Sequence, residues 1–178
     1  MHRTVRKSFL RKPYTVSNLM DVWECDLLNM QYLSLYNYTY SYILFVFDVF
    51  SEYLHLVLIK TKRGPAVSSA FPSLLHDDSR RPLWVRTDKA KEFLNKHFQE
   101  MLRAEGIQFQ VCSYHDVKCA VVERVHKTIR DRLFKYFTFS NSYRYIYVLP
   151  KFVKAYNDTV HTNGIAPSRM PDAEFLAI

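Results

Sequence analysis

Three acids stand where acids are costly. Asp26 lies inside the hydrophobic run of WECDLLNM, Asp88 ends the run that begins VRTDKAKEF, and Glu123 opens the amphipathic stretch VVERVHKTIR. A carboxylate in such surroundings is unfavourable unless something positive neutralises it. Three converging carboxylates suit two divalent cations about 4 Å apart, one activating an attacking oxygen and one a leaving oxygen. The residue types therefore predict metal-assisted phosphoryl transfer. The pattern has no Ser/His or Cys/His pair, and this chemistry needs none.

These acids must be positioned by ordinary elements. From Val22 to Met30 the alternation predicts a strand, with Trp23, Cys25 and Leu27 on one face and Glu24, Asp26 and Leu28 on the other. Tyr32–Tyr40 predicts a hairpin turn around Asn37. Tyr42–Phe50 is apolar throughout, as in a strand buried on both faces, and Tyr53–Ile59 follows closely enough for a second hairpin. After Gly64-Pro65 the periodicity predicts a helix that Pro72 ends early. A short strand over Leu83–Thr87 leads to Asp88. A helix over Phe93–Ala104 stops at Gly106, and another short strand covers Ile107–Val111. Val122, Val125, Ile129, Leu133 and Tyr136 mark one long helix, and the apolar pattern of Tyr143–Tyr156 predicts a last one despite Pro150. Three strands followed by alternating helices and strands define an α/β domain on a five-stranded mixed sheet flanked by helices.

The chain has 178 residues, a formal net charge of +8 and a pI of about 9.4. That length suits one domain with a real core, and the charge predicts an anionic partner, of which nucleic acid is the commonest large one. Residues 1–20 are a basic N-terminal arm, residues 21–167 the core domain and residues 168–178 a tail. No apolar run reaches the roughly 18 residues of a membrane span, so no membrane association is expected. Cys25, Cys112 and Cys119 are an odd set at unrelated spacings, which predicts free thiols in a reducing compartment. Cys112, His115 and Cys119 have zinc-ligand chemistry, but a structural zinc wants a fourth ligand and none lies nearby.

The element order, with acids on the first strand, after the fourth and on the helix after the fifth, resembles the ribonuclease-H-like core of DDE integrases and transposases. The words WECDLLNM, FDVFSEYLHLVLIKTKRGPAV, VRTDKAKEFLNKHFQEMLRAEGI and KCAVVERVHKTIRDRLFKYF are similar to the retroviral-type integrase core carried by Maverick/Polinton-like transposons. The 34 residues between Asp88 and Glu123 are close to that family's usual spacing. The chain departs from the pattern at Ala90, where glycine is common, and at His126, where asparagine is common. It also lacks the family's zinc and C-terminal modules, which implies an excised core, a truncated copy or a domesticated remnant.

The resemblance implies that Asp26, Asp88 and Glu123 are catalytic and ligate two Mg²⁺ or Mn²⁺ ions. It implies 3′-end processing of DNA followed by strand transfer, a homodimer or larger assembly, and nuclear action. The alternatives are a retired DNA-binding remnant and a ribonuclease-H-like nuclease. Lys127 and Arg130 share a helical face with Glu123 and are candidate DNA contacts, with Lys118, Arg124, Lys89 and Lys91 around them. Glu92 is a candidate support for the Asp88 loop. Asp48 reads as structural, bonding near Ser51, and His126 as packed or exposed rather than catalytic.

Overall fold

The computed structural model describes residues 22–75, 80–112, 120–161 and 164–170, with backbone alone at 120 and 121. The expected arm, the polar stretch 76–79 and the loop 113–119 lie outside the described residues, as do residues 162–163 and most of the tail.

Five strands form one sheet: β1 (Val22–Asn29), β2 (Tyr42–Asp48), β3 (Leu54–Ile59), β4 (Trp84–Thr87) and β5 (Gln108–Val111). Their order across the sheet is β3-β2-β1-β4-β5. The first three pair antiparallel, while β4 and β5 pair parallel to β1 and to each other. The alternation read in β1 holds. Trp23 and Cys25 enter one core cluster, and Leu28, beyond Glu24 and Asp26, enters the other. Every residue of β2 is buried, as its unbroken apolar run requires.

Two layers cover the sheet. On one face α3 (Ala120–Ser140) lies against β1 and β2, and α4 (Leu149–Asn157) against β3. Val122, Val125, Ile129, Leu133 and Phe137 make the buried stripe of α3, packing on Phe45 and Phe47. The other face carries α1 (Gly64–Ala70) and α2 (Lys96–Ala104), closed over Trp23, Leu44, Phe71 and Phe98. Burying each large apolar side chain stabilises the fold by about 1.5–3 kcal/mol. Among the described residues no helix is long and apolar enough to cross a membrane.

The turn expected around Asn37 lies between antiparallel β1 and β2, with a 3-10 helix over Gln31–Tyr36 before it and Asn37 buried. Two local expectations are corrected. The helix expected over Phe93–Ala104 begins at Lys96, because the Asn95 side chain accepts from the Phe98 N–H and fixes the start there. The last helix begins at Leu149, not Tyr143. Pro150 sits in its first turn, where a missing N–H costs nothing. Gly106, at φ +71°, ends α2 as expected.

Candidate active site

β1 is the central strand, and α3 crosses its polar face. Asp26 therefore sits between the sheet and the helix, with its side chain 28% exposed. Its Oδ1 accepts the Leu27 N–H at 2.7 Å, and its Oδ2 lies 2.8 Å from His126 Nδ1. In the parallel ladder Cys25 pairs with Thr87, so the next residue of each strand brings Asp26 and Asp88 side by side where β4 ends. Asp88 Oδ1 accepts the Ala90 N–H at 3.0 Å, closing a tight turn out of the strand. Glu123 occupies the first turn of α3, exposed, on the helix that packs over β1.

The electrostatics tie the acids together. Burial raises the Asp88 carboxyl above its ordinary value, the Ala90 N–H opposes this, and the charges of Asp26, Glu92 and Glu123 push it further up. Among the described residues no three His, Cys, Asp or Glu side chains converge closely enough, as they stand, to enclose an ion. The donors nevertheless fit a hard divalent cation: carboxylate oxygens whose mutual repulsion at Asp88 a positive charge would reverse.

Two residues gain roles that local pattern did not reveal. Glu24, two positions before Asp26 on the same face, is only 2% exposed. Its Oε2 accepts the Val122 N–H of α3 at 3.3 Å, and its Oε1 lies 3.8 Å from the Arg86 guanidinium. The period-two pattern put Glu24 beside Asp26, but its partner is 98 positions away. His126 is neither simply packed nor exposed. Its imidazole packs at 4.8 Å on Phe45 while bonding Asp26, and its buried Nε2 has no partner among the described residues.

Around this centre Lys127 and Arg130 are exposed on the same side of α3 as Glu123, and the charge of Arg130 reaches Tyr32 at the surface. Arg124 points round the helix instead, lining a cavity of about 490 Å³ with Arg132, Glu52 and His161. Lys89 and Lys91 are exposed beside Asp88. Glu92 is half-buried, and its carbonyl accepts from Asn95 Nδ2 at 2.6 Å while its charge acts on Asp88. Lys118, His115 and Cys119 lie outside the described residues.

Asp48 is on the opposite face from Asp26, paired in register with Trp23. Its Oδ2 accepts the Ser51 hydroxyl at 2.7 Å and its Oδ1 accepts the Phe50 N–H at 3.0 Å, so it is structural as read. Cys112 is disulfide-bonded, which corrects the expectation of a thiol there. Cys112 is half-buried just past the end of an edge strand, whereas Cys25 is a free thiol enclosed within the central sheet.

The family model for the integrase core domain matches residues 18–116 of the chain. A transposon-derived protein of Caenorhabditis elegans is 31% identical over 121 residues, covering 68% of this chain and 42% of that protein. The chain thus spans less than half the length of that curated relative. The magnesium complex of the HTLV-2 integrase catalytic core domain, in its dimeric form, superposes with a TM-score of 0.69 at 19% identity, covering 86% of this chain and 97% of that one. The simian T-cell lymphotropic virus intasome in complex with PP2A regulatory subunit B56 gamma gives a TM-score of 0.73 at 17% identity, covering 97% and 62%. The architecture is the ribonuclease-H-like fold of such catalytic cores.

Proposed function

Because the chain belongs to the integrase core domain family, we propose that it cuts DNA near a 3′ end and joins that end to target DNA by two-metal phosphoryl transfer. The observation that carries this reading is the electrostatic union of Asp26, Asp88 and Glu123, from a central strand, its parallel neighbour and the covering helix. When bound, two Mg²⁺ or Mn²⁺ ions would supply Lewis acidity at the attacking and leaving oxygens. Asp26, Asp88 and Glu123 would hold them through carboxylate oxygens, with the tight turn at Ala90 fixing Asp88. The magnesium in the HTLV-2 core supports the choice of ion.

Lys127 and Arg130, exposed one and two turns beyond Glu123, suit a phosphate backbone leading away from the scissile bond. Lys89, Lys91 and Lys118 would approach the DNA end, and Arg124 a more distant stretch of it. Joining two ends implies at least a homodimer, a reading that the dimeric HTLV-2 core supports. A chromosomal DNA substrate would be met in the nucleus, so nuclear action is part of this reading.

One observation favours a second reading. His126 holds the Asp26 oxygen that a cation would use, as suits a retired enzyme kept for DNA binding. The test is a branched oligonucleotide mimicking a joined end, with Mg²⁺ or Mn²⁺, comparing the natural chain with Glu123→Gln. Metal-dependent resealing should be lost in the variant by about 10³-fold or more, since a polarising cation supplies several kcal/mol. Cutting without joining would indicate a ribonuclease-H-like nuclease. Binding without chemistry in either protein would indicate the retired form.

A further inference from the structure

One step back from the acids, a second row of polar side chains crosses the same face of the sheet. Glu24 on β1 pairs in register with Arg86 on β4, and Arg86 with Gln110 on β5. The proposed chemistry uses none of the three. The row is connected: Arg86 Nε and Nη2 donate to Gln110 Oε1 at 3.0 and 2.9 Å. Arg86 Nη1 stands 3.8 Å from Glu24 Oε1, too far for a directed bond but near enough to balance charge. A directed bond reaches Glu24 from elsewhere: its Oε2 accepts the Val122 N–H at 3.3 Å.

That target matters. Val122 immediately precedes Glu123, and the first N–H groups of a helix have no partner within it. They also carry the positive end of the helix dipole, which draws a carboxylate. Glu24 is 2% exposed on a central strand, so it is a rigid post rather than a mobile surface acid. A bond from that post to the residue before Glu123 fixes the height and rotation of the helix start against β1, where Asp26 projects two residues on. Arg86 offsets the buried charge, and Gln110 holds Arg86 in place.

We infer that Glu24 is a positioning residue: it sets where the Glu123 carboxylate stands relative to Asp26, by bonding the first turn of α3, and does not itself ligate metal. This rests on the reading of Asp26, Asp88 and Glu123 as ligands. Outer partners that orient metal ligands are worth about 10–100-fold in metal affinity. Two paired substitutions separate the bond from the buried charge. Glu24→Gln with Arg86→Met removes both charges but keeps an acceptor for the Val122 N–H. Glu24→Leu with Arg86→Met removes the charges and the acceptor.

The readout is Mn²⁺ affinity of the whole chain, followed by the electron paramagnetic resonance signal of free Mn²⁺, with thermal melting run alongside. The Gln/Met pair should bind Mn²⁺ within about threefold of the natural chain, and the Leu/Met pair at least about tenfold more weakly. Equal binding by natural and Leu/Met proteins would overturn the inference. So would a Gln/Met protein as weak as Leu/Met, because charge and not the bond would then matter. Should the Leu/Met protein fail to fold, Glu24→Ala with Arg86→Met, which likewise lacks the acceptor, takes its place under the same criterion. Glu123→Gln serves as reference: if it leaves Mn²⁺ binding unchanged, the ligand assignment fails, whatever Glu24 does.

Discussion

His126 Nδ1 stands 2.8 Å from Asp26 Oδ2, so the helix that carries Glu123 also reaches back to the strand acid it faces. Among the described residues the ring is held by this bond and its packing on Phe45, while its buried Nε2 has no partner. Asp26 Oδ1 is already engaged by the Leu27 N–H. A cation arriving at Asp26 must therefore compete with the imidazole for Oδ2. A net hydrogen bond of this kind contributes about 1 kcal/mol, or roughly fivefold in affinity. His126→Ala should tighten Mn²⁺ binding by about that factor, read by titration calorimetry. Weaker binding in the variant would make His126 an orienting partner of Asp26 rather than a competitor.

Asp88 gives the site an acid limb. Burial and the charges of Asp26, Glu92 and Glu123 hold its carboxyl above the ordinary range. Protons and cations compete for the same oxygens, so a raised carboxyl keeps its proton to higher pH. Mn²⁺ affinity should fall as pH is lowered from about 7 to 4, beginning above the pH at which an ordinary aspartate protonates. Glu92→Gln removes one of the charges that raise Asp88 and should shift this limb to lower pH. A limb that stays in place would show that the Glu92 charge does not act at Asp88 in solution.

Asp48 separates structure from chemistry. It accepts the N–H groups of Phe50 and Ser51 and the Ser51 hydroxyl, within a buried turn on the far face from Asp26. Asp48→Ala leaves these donors unpaired, at a cost of about 2–3 kcal/mol. For a domain of this size the melting temperature should drop by roughly 4–12 °C. Mn²⁺ binding, measured below the transition, should be unchanged. Lost binding in a folded Asp48→Ala protein would make Asp48 a ligand after all.

What was legible in the sequence was whatever period and local chemistry determine. The alternation in β1 put Glu24 and Asp26 on one face, and the unbroken run of β2 marked a strand buried on both. The valine and isoleucine steps of α3 gave its buried stripe and left Glu123, Lys127 and Arg130 outside. What failed depends on contacts between distant residues. Tyr143–Val148 has helical spacing, yet it runs as a loop because the buried Asn37 donates to the Tyr143 carbonyl at 2.9 Å and accepts the Tyr145 N–H at 2.8 Å. No local signal joins positions so far apart in the chain. The bond from Glu24 to Val122 and that from His126 to Asp26 were hidden for the same reason, although each sits within two residues of an acid that the sequence did reveal, or on it.

The two sides of α3 make different claims on DNA. Lys127 and Arg130 are exposed on the Glu123 side, with Tyr32 within reach of the Arg130 charge. Arg124 faces a cavity where Glu52 and Arg132 also stand, so an acid already shares the local field. Each phosphate contact by a cation adds about 0.9 to the slope of log affinity against log salt. Lys127→Glu with Arg130→Glu should therefore weaken binding to a DNA duplex and flatten the slope by nearly two. Arg124→Glu should change it by less than one, because that cation faces a cavity on the other side of the helix. Fluorescence anisotropy across a salt series reads both. An unchanged slope in the double variant would remove this face from the DNA path, and a larger loss from Arg124→Glu would move the path to the other side of the helix.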